Sequence, residues 1–298
     1  MRRGGEIYCA HEGVPQDFSV QYQERETITI EDYDKIINLG WNRFCEEYFP
    51  RTIGISLEQL DAAEKALLKV YLDDVKVWKQ HGVAIMAGAL ALSCEMILSL
   101  GRTLPKFTLD LHRYPEKVKA ALEAMVPDIV QNCIDDAKAS GIPWVVISME
   151  RGAGSYYSLK VYEKFFFKPL KRMVDAFAAA GLISVLHFDT DWTLNLPYLK
   201  DLPRGKCICE LDSTSNIFKA KEILKGHICI MGDVPASLLS LGAPEDVAGY
   251  CKKLIDIVGE DEGFILSTGC ECPVDAKFEN VKMMIDAGKN YYPHRRQS

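Results

Sequence analysis

The chain has 298 residues, of which 48% are hydrophobic, enough to bury one large core. Its 42 acidic residues outnumber its 35 basic residues, and the formal charge of −7 argues against phosphate-backbone binding as the main role. No apolar run reaches transmembrane length and no charged-then-apolar leader is visible, so we expect a cytoplasmic protein without a membrane or nucleic-acid partner. The 10 cysteines are then expected to be reduced.

The N-terminal part of the chain has a helical pattern. Residues 1–27 mix charge, glycine and proline, and predict an extension or a partial first strand. An amphipathic helix is predicted over 29–50 and a second over 56–82, each with a capping-box signal at its start. We therefore expect residues 1–82 to form an N-terminal helical extension.

After this extension, strand and helix patterns alternate. Apolar segments of strand length occupy 83–90, 144–149, 182–188, 206–211, 227–232 and 264–269. Helix patterns begin at Pro115, Ser158 and Pro244, and the last one runs from about Asp275 to Asn290. Such alternation predicts an α/β fold with a parallel sheet, either a closed (β/α)8 TIM-type barrel or an open doubly wound sheet. The length favours the barrel, and we expect a single domain over residues 1–298 with 83–298 as the barrel core.

The most informative strand is LISVLHFDTD, residues 182–191, because it ends in an imidazole and two acids. Ligands gather at the carboxyl ends of parallel strands, where side chains from several strands converge. His187 and Asp189 are two residues apart on one strand, so their side chains point the same way and can hold one ion or one substrate group.

Other strand ends also carry polar groups. Glu150, Asp212 and Asp233 are predicted to shape a substrate pocket or move protons, although acidic loops are often merely solvated. Arg151 and Tyr156 belong to a glycine-containing loop, RGAGSYYS, that could face a ligand or be an ordinary connection. Trp192 could wall an apolar ligand, whereas a large aromatic residue just after a strand is more often packed under a loop.

Cys270 follows the last strand directly, and together with His187 and Asp189 it would give zinc three ligands and one free position. The alternative is that Cys270 packs against the last helix and His187 is a hydrogen-bonded histidine at a strand end. Cys272 competes for the same ligand role.

His227 and Cys229 form a second H-x-C pair. They lie at the amino-terminal face of the sheet, where side chains usually have structural roles, and we assign them to packing. Cys207 and Cys209 alternate within a strand and are also predicted to be core residues. His81, at the end of a helix, is predicted to interact with carbonyl groups there.

Four segments together resemble the uroporphyrinogen decarboxylase superfamily, which includes corrinoid-dependent methyltransferases. They are SLKVYEKFFFKPLKRMVDAF (158–177), LISVLHFDTDWT (182–193), HICIMGDVP (227–235) and STGCECPVDAKFENVKMMIDAG (267–288). The resemblance implies a (β/α)8 barrel. In the methyltransferases of this superfamily, zinc is held by an H-x-C pair and a later cysteine. His187 and Cys270 match the first and last of these, while Asp189 stands where the middle cysteine is expected.

The resemblance therefore implies a zinc-dependent methyltransferase that moves a methyl group between a small molecule and a separate corrinoid protein. In this hypothesis His187, Asp189 and Cys270 bind zinc, which could activate an alcohol or ether oxygen. The first alternative is a metal-free uroporphyrinogen decarboxylase-like lyase in which Asp189 stabilises a pyrrole cation. This chain has only Arg2 and Arg3 near its start, and they do not match the decarboxylase anion clamp. The second alternative is a barrel without catalysis that only binds a ligand.

Overall fold

The computed structural model describes residues 6–8, 21–260 and 263–292. Near the start of the chain, β1 (Glu6–Tyr8) and β2 (Gln21–Gln23) form an antiparallel pair. The two arginines weighed as an anion clamp, Arg2 and Arg3, lie outside the described residues.

The chain divides into two compact units. The first comprises residues 1–145 and 163–176, and the second comprises residues 146–162 and 177–298. The prediction of a single domain over 1–298 therefore stays a prediction.

Three helices precede the main sheet, as predicted for the N-terminal part of the chain: α1 (Ile30–Leu39), α2 (Trp41–Ile53) and α3 (Leu57–Gln80). Three more lie between the first and second strands of that sheet: α4 (Cys94–Arg102), α5 (Leu104–Arg113) and α6 (Pro115–Ser140). The capping box predicted for α3 is present, since the backbone N–H of Gln59 donates to Ser56 Oγ at 3.2 Å and that of Ser56 donates to Gln59 Oε1 at 2.9 Å.

The single helix predicted over 29–50 was wrong, because two helices meet at Gly40. Gly40 has a φ of +82°, and a Cβ there would lie 2.9 Å from Asp128 Oδ2. The same carboxylate oxygen accepts the backbone N–H of Asn42 at 2.8 Å and so supports the start of α2. Pro50 lies inside α2 instead of ending it.

Six strands form the main sheet in chain order. They are β3 (Ala89–Leu92), β4 (Trp144–Met149), β5 (Ile183–Phe188), β6 (Cys207–Leu211), β7 (Cys229–Val234) and β8 (Phe264–Thr268). Strands β5 to β8 pair in parallel, each with the next. Five of the strands lie where the sequence predicts them, to within two residues.

The strand predicted over 83–90 was misplaced. Regular pairing begins only at β3, just after Gly88, whose N–H donates to the Trp144 carbonyl at 2.9 Å. A Cβ on Gly88 would lie 1.9 Å from the Ile142 carbonyl oxygen, so this close approach requires glycine. The apolar residues before it lead into the sheet without belonging to it.

Helices alternate with these strands; the one predicted from Pro244 begins there, and the last one ends at Asn290 as predicted. They are α7 (Leu159–Val161), α8 (Lys168–Ala179), α9 (Ile217–Leu224), α10 (Ala236–Leu241), α11 (Pro244–Ile257) and α12 (Phe278–Asn290). A π-helical segment, Tyr162–Phe167, separates α7 from α8, just before Pro169, which lacks the N–H that a regular helix would use. A 3-10 helix spans Leu196–Asp201.

The α/β fold with parallel strands and intervening helices is thus confirmed, and the described part of the chain supplies six strands to the sheet. Cys207 and Cys209 are buried in β6, and His227 Nε2 lies 2.9 Å from the Leu202 carbonyl oxygen, as expected for structural residues. The nine cysteines of the described residues are all free thiols. None of the helices in the described residues has the length and hydropathy that a bilayer crossing requires.

Candidate metal centre

Two neighbouring strands of the second unit place the central histidine. In the parallel pairing of β5 with β6, His187 is level with Glu210. Side chains at one level of a parallel pair point to the same face, and Glu210 Oε2 accordingly lies 2.9 Å from His187 Nδ1. This contact fixes the orientation of the ring, so that Nε2 faces away from Glu210.

The other ring nitrogen meets the two remaining predicted ligands. His187 Nε2 lies 3.4 Å from Asp189 Oδ1 and 3.8 Å from Cys270 Sγ. One ligand atom from each of these three residues lies within 4.8 Å of the others, and all three residues are half-buried. The sequence placed these residues at the ends of β5 and β8, and the structure brings them together.

A tight turn after β8 positions the cysteine. Gly269 donates its N–H to the Val234 carbonyl at 2.9 Å, and Thr268 Oγ1 donates to the Cys270 carbonyl oxygen. A Cβ on Gly269 would lie 2.9 Å from the Asp212 carbonyl carbon, so only glycine fits where the end of β8 meets the end of β6. Cys272, the competing thiol, is exposed and is not part of the cluster.

The charges of the cluster support one another. Hydrogen bonds to Asp189, to Cys270 and to Glu210 raise the pKa of His187 to about 12, against the opposing effect of burial. The hydrogen bond to His187 in turn lowers the pKa of Asp189, although burial acts in the opposite direction. These contacts therefore favour the protonated, cationic form of the imidazole when no metal ion is bound.

The donor set fits zinc. Nitrogen, sulfur and carboxylate oxygen are its usual ligands, and bonds of about 2.0–2.3 Å in tetrahedral geometry place donors roughly 3.3–3.6 Å apart. The distances from His187 Nε2 to Asp189 Oδ1 and Cys270 Sγ, 3.4 and 3.8 Å, are close to this spacing. Three protein ligands leave a fourth position for a substrate or water, as in catalytic zinc sites.

The loop after β5 is held by the end of β6. Thr190 has a φ of +69°, which is costly for a residue with a side chain. Its N–H donates to Asp212 Oδ2 at 2.7 Å, and its carbonyl accepts from Ser215 Oγ at 3.0 Å. Asp212 thus supports the backbone next to Asp189, a contact that its predicted catalytic role does not include.

Trp192 is only 1% exposed. Its Nε1 donates to the Asp189 carbonyl at 2.7 Å, and its ring packs on Phe188 and Tyr162, with centroid distances of 4.6 and 5.9 Å. This burial favours a packing role over the predicted wall for a ligand. Trp192 therefore anchors the loop that carries Asp189.

Asp233, predicted to bind substrate, is buried at the end of β7. It accepts a hydrogen bond from the Tyr250 hydroxyl at 2.8 Å. Burial raises the pKa of Asp233 to about 6, even though this hydrogen bond acts in the opposite direction. Burial also raises the pKa of Tyr250.

The remaining predicted site residues lie at the end of β4. Glu150 is half-buried, with its Oε1 3.5 Å from Ser148 Oγ. Arg151 is half-buried and Tyr156 is 47% exposed in the loop that follows. Their roles in substrate binding or proton transfer stay predictions.

Sequence reasoning left two residues without a role. Glu210 was visible as an acid at a strand end, but its contact with His187 follows from the register of β5 and β6. Tyr250 lies on α11, 17 residues after Asp233, and no local pattern connects the two. The contact between His187 and Glu210 could have been found from the sequence by aligning the apolar runs of β5 and β6.

Comparison with known proteins identifies the family. Residues 55–291 match the family described as Uroporphyrinogen decarboxylase (URO-D). The methylcobamide:CoM methyltransferase MtbA of Methanosarcina acetivorans is 28% identical over 181 residues, which cover 57% of this chain and 50% of that protein. A uroporphyrinogen decarboxylase of Anaeromyxobacter dehalogenans is 30% identical over 125 residues, 42% of this chain and 35% of that protein.

A solved structure of a methyltransferase from Methanosarcina mazei has the same fold, with a TM-score of 0.61 at 15% identity, covering 74% of this chain and 64% of that one. The chain spans half the length or less of the curated relatives described here. The match over residues 55–291 nevertheless covers most of the sequence, and the chain belongs to the uroporphyrinogen decarboxylase family of enzymes.

Proposed function

We propose that this protein is a zinc-dependent methyltransferase that moves a methyl group between a small molecule and a corrinoid bound to a partner protein. The observation that carries the proposal is the convergence of His187, Asp189 and Cys270 within 4.8 Å. The similarity to methylcobamide:CoM methyltransferases supports the reaction class. The predicted cytoplasmic location belongs to the same proposal.

The residues of the cluster have separate tasks. Glu210 holds Nδ1 of His187, so that Nε2 is the nitrogen presented to a metal ion. Asp189 and Cys270 contribute negative charge that balances a divalent cation. Zinc, when bound, supplies Lewis acidity to a heteroatom of the methyl-bearing substrate. Asp189 replaces a softer thiolate, which favours oxygen over sulfur as that heteroatom.

The proposed reaction is the transfer of a methyl cation. In the direction of corrinoid methylation, the bond between the methyl carbon and the substrate oxygen would break, and its electron pair would stay on oxygen. A reduced corrinoid on the partner protein would supply the electron pair for the new bond to the methyl carbon. The oxygen takes up one proton, and Glu150 and Asp212 are the proposed groups for moving it.

The test combines metal analysis with turnover. Purified protein is expected to hold zinc in a one-to-one ratio, and Cys270→Ser is expected to lose it. Cys272→Ser is the matched control, because this neighbouring thiol is exposed and outside the cluster. Methylation of free cob(I)alamin by methyl ethers, followed by absorbance, should require the same zinc. Activity that persists in protein stripped of metal would exclude the proposal.

A metal-free decarboxylase is the second candidate. The lowered pKa of Asp189 favours it, because an ionised carboxylate could stabilise a pyrrole cation. Consumption of a porphyrinogen by metal-free protein, and its loss in Asp189→Asn, would support this reaction. A protein that binds ligands but performs neither reaction would be the non-catalytic barrel.

A further inference from the structure

A cavity of about 650 Å³ opens in the second unit, among residues that follow the ends of β5 and β6. Its wall begins two residues after Asp189, at Asp191, and three residues after Glu210, at Ser213. It also includes Asp233 at the end of β7. The cavity therefore adjoins the same strand ends that carry the cluster, although none of the three proposed zinc ligands lines it.

The lining combines acidic and apolar side chains. Asp191 and Asp233 are its two charged residues, and Leu194, Ile217, Phe218 and Tyr250 form apolar surface. The other lining residues are serine, threonine and asparagine, and no Lys, Arg or His is among the eleven described residues that line the cavity. Lys253 Nζ lies 4.5 Å from the centre of the Phe218 ring but is not a lining residue. An anionic ligand would therefore meet two carboxylates and no lining cation.

Each of the two carboxylates accepts a hydrogen bond that holds it in place. Asp191 Oδ1 accepts the N–H of Thr193 at 2.9 Å, and Asp233 Oδ1 accepts the hydroxyl of Tyr250 at 2.8 Å. Asp191 is exposed, whereas Asp233 is buried, with 2% of its surface exposed. Burial also raises the pKa of Asp233, so a positive charge in the cavity would offset part of the cost of ionising it.

We propose that this cavity binds an organic ammonium compound, with its charged group between Asp191 and Asp233 and its apolar body against Leu194, Ile217 and Phe218. The proposal that this compound is the methyl donor or acceptor rests on the proposed function. The proposal that the cavity binds it does not. The proposal gives the substrate a chemical class: a molecule with a cationic head and an apolar part.

Three probes of matched size test the class: 2-phenylethylamine, 2-phenylethanol and phenylacetate. Their affinities are measured by titration calorimetry at a pH of about 7.5, above the pKa of Asp233 of about 6. The amine is expected to bind about tenfold more tightly than the carboxylate, with the alcohol between them. Equal or tighter binding of phenylacetate would overturn the proposal.

Substitutions of the two aspartates test whether the preference for the amine arises in this cavity. Asp191→Asn and Asp233→Asn are each expected to weaken amine binding about three- to tenfold while leaving the alcohol unchanged, and the double variant should lose the preference for the amine. Asp191 is exposed, so its variant tests the proposal without disturbing the core. Asp201→Asn, an exposed acid outside the cavity, is the control. A preference for the amine that survives in the double variant contradicts the assignment to this cavity.

Zinc content measured on the same samples separates the two proposals. If the variants keep zinc but the amine shows no preference, the ligand assignment fails and the methyltransferase proposal stands. If the wild-type protein binds the amine as expected but holds no zinc, the cavity assignment stands and the metal-dependent function fails.

Discussion

At the scale of single residues, Glu210 decides which nitrogen of His187 is available to a metal ion. Its Oε2 lies 2.9 Å from Nδ1, which leaves Nε2 toward Asp189 and Cys270. Carboxylates that hold a metal-binding histidine in this way also increase its basicity. Glu210 is therefore a positioning residue for the proposed centre.

Removing this carboxylate should weaken metal binding. Glu210→Ala is expected to lower zinc affinity about 10- to 100-fold, because the ring is no longer held in one orientation. Competition with a chromophoric chelator measures the change. Glu222→Ala, on the exposed side of α9, should leave the affinity as it is. An unchanged affinity in the Glu210 variant would show that the ring is oriented by other groups.

The raised pKa of His187 predicts how stability depends on pH in metal-free protein. Because the folded-state pKa, about 12, lies above the ordinary value of 6.5, protonated His187 stabilises the fold. This contribution is complete below pH 6.5 and declines as the pH rises toward the folded-state value. Denaturant unfolding of wild type and His187→Asn with a chelator present should show a difference that shrinks with increasing pH. A difference that grows instead would contradict the assignment.

Asp233 should also cost stability as the pH rises, because its charged form is the unfavourable one. Its folded-state pKa, about 6, is above the ordinary value of 3.8, so ionisation of this buried acid begins to destabilise the fold above pH 3.8 and does so fully above about pH 6. Asp233→Asn is expected to stabilise the protein at neutral pH by about 1–3 kcal/mol, and the gain should vanish near pH 4. Thermal unfolding at the two pH values measures it. A loss of stability at neutral pH would show that the interaction with Tyr250 outweighs the cost of burying the charge.

At the scale of elements, the turns after β5, β6 and β8 determine the geometry of the centre. Asp212 links the first two, since its Oδ2 receives the N–H of Thr190 while its backbone packs against Gly269 after β8. Three strand ends thus meet at one aspartate. The spacing of the proposed ligands follows from this backbone packing.

Substitution of Gly269 by alanine tests whether this backbone packing positions the proposed ligands. Gly269→Ala would place a Cβ 2.9 Å from the Asp212 carbonyl carbon, so the turn that carries Cys270 must shift. Zinc affinity is expected to fall at least about tenfold, because disturbing the surroundings of a metal ligand usually weakens metal binding by that factor or more. Gly249→Ala is the control: its Cβ meets nothing within 4 Å inside α11, and the change should stabilise the helix by up to about 1 kcal/mol. Equal zinc affinities in the two variants would refute the role of the turn.

The elements also show what could be predicted from the sequence. Five strands were located because buried parallel strands are continuous apolar runs, and the three-residue cluster followed from their carboxyl ends. The break between α1 and α2 could not be predicted, because it depends on Asp128, far along the chain from Gly40. The contacts of Glu210 and Tyr250 required strand register and tertiary packing, which no local pattern contains.

At the scale of the whole molecule, the proposed centre and the cavity belong entirely to the second compact unit. The family match, over residues 55–291, extends across parts of both units. Metal binding should therefore be visible first in the stability of the second unit.

Zinc is expected to stabilise the protein by about 2.7 kcal/mol when its free concentration is about one hundred times the dissociation constant. Thermal unfolding with zinc or with chelator measures this, and hydrogen exchange should show the added protection in β5, β6 and β8. Cys270→Ser should abolish the gain, whereas Cys272→Ser should keep it. Zinc that stabilises both variants equally would bind somewhere other than this cluster.

The glycine after β8 has a consequence for how quickly an ion could be captured. Because Gly269 is wedged against the Asp212 backbone, the thiol is already in place, and no segment has to be ordered when the ion arrives. Zinc binds the neutral ring, so the proton that the acidic neighbours retain on the imidazole must leave. Rising pH should therefore favour zinc uptake without a folding step, in contrast to small zinc domains that fold around their metal.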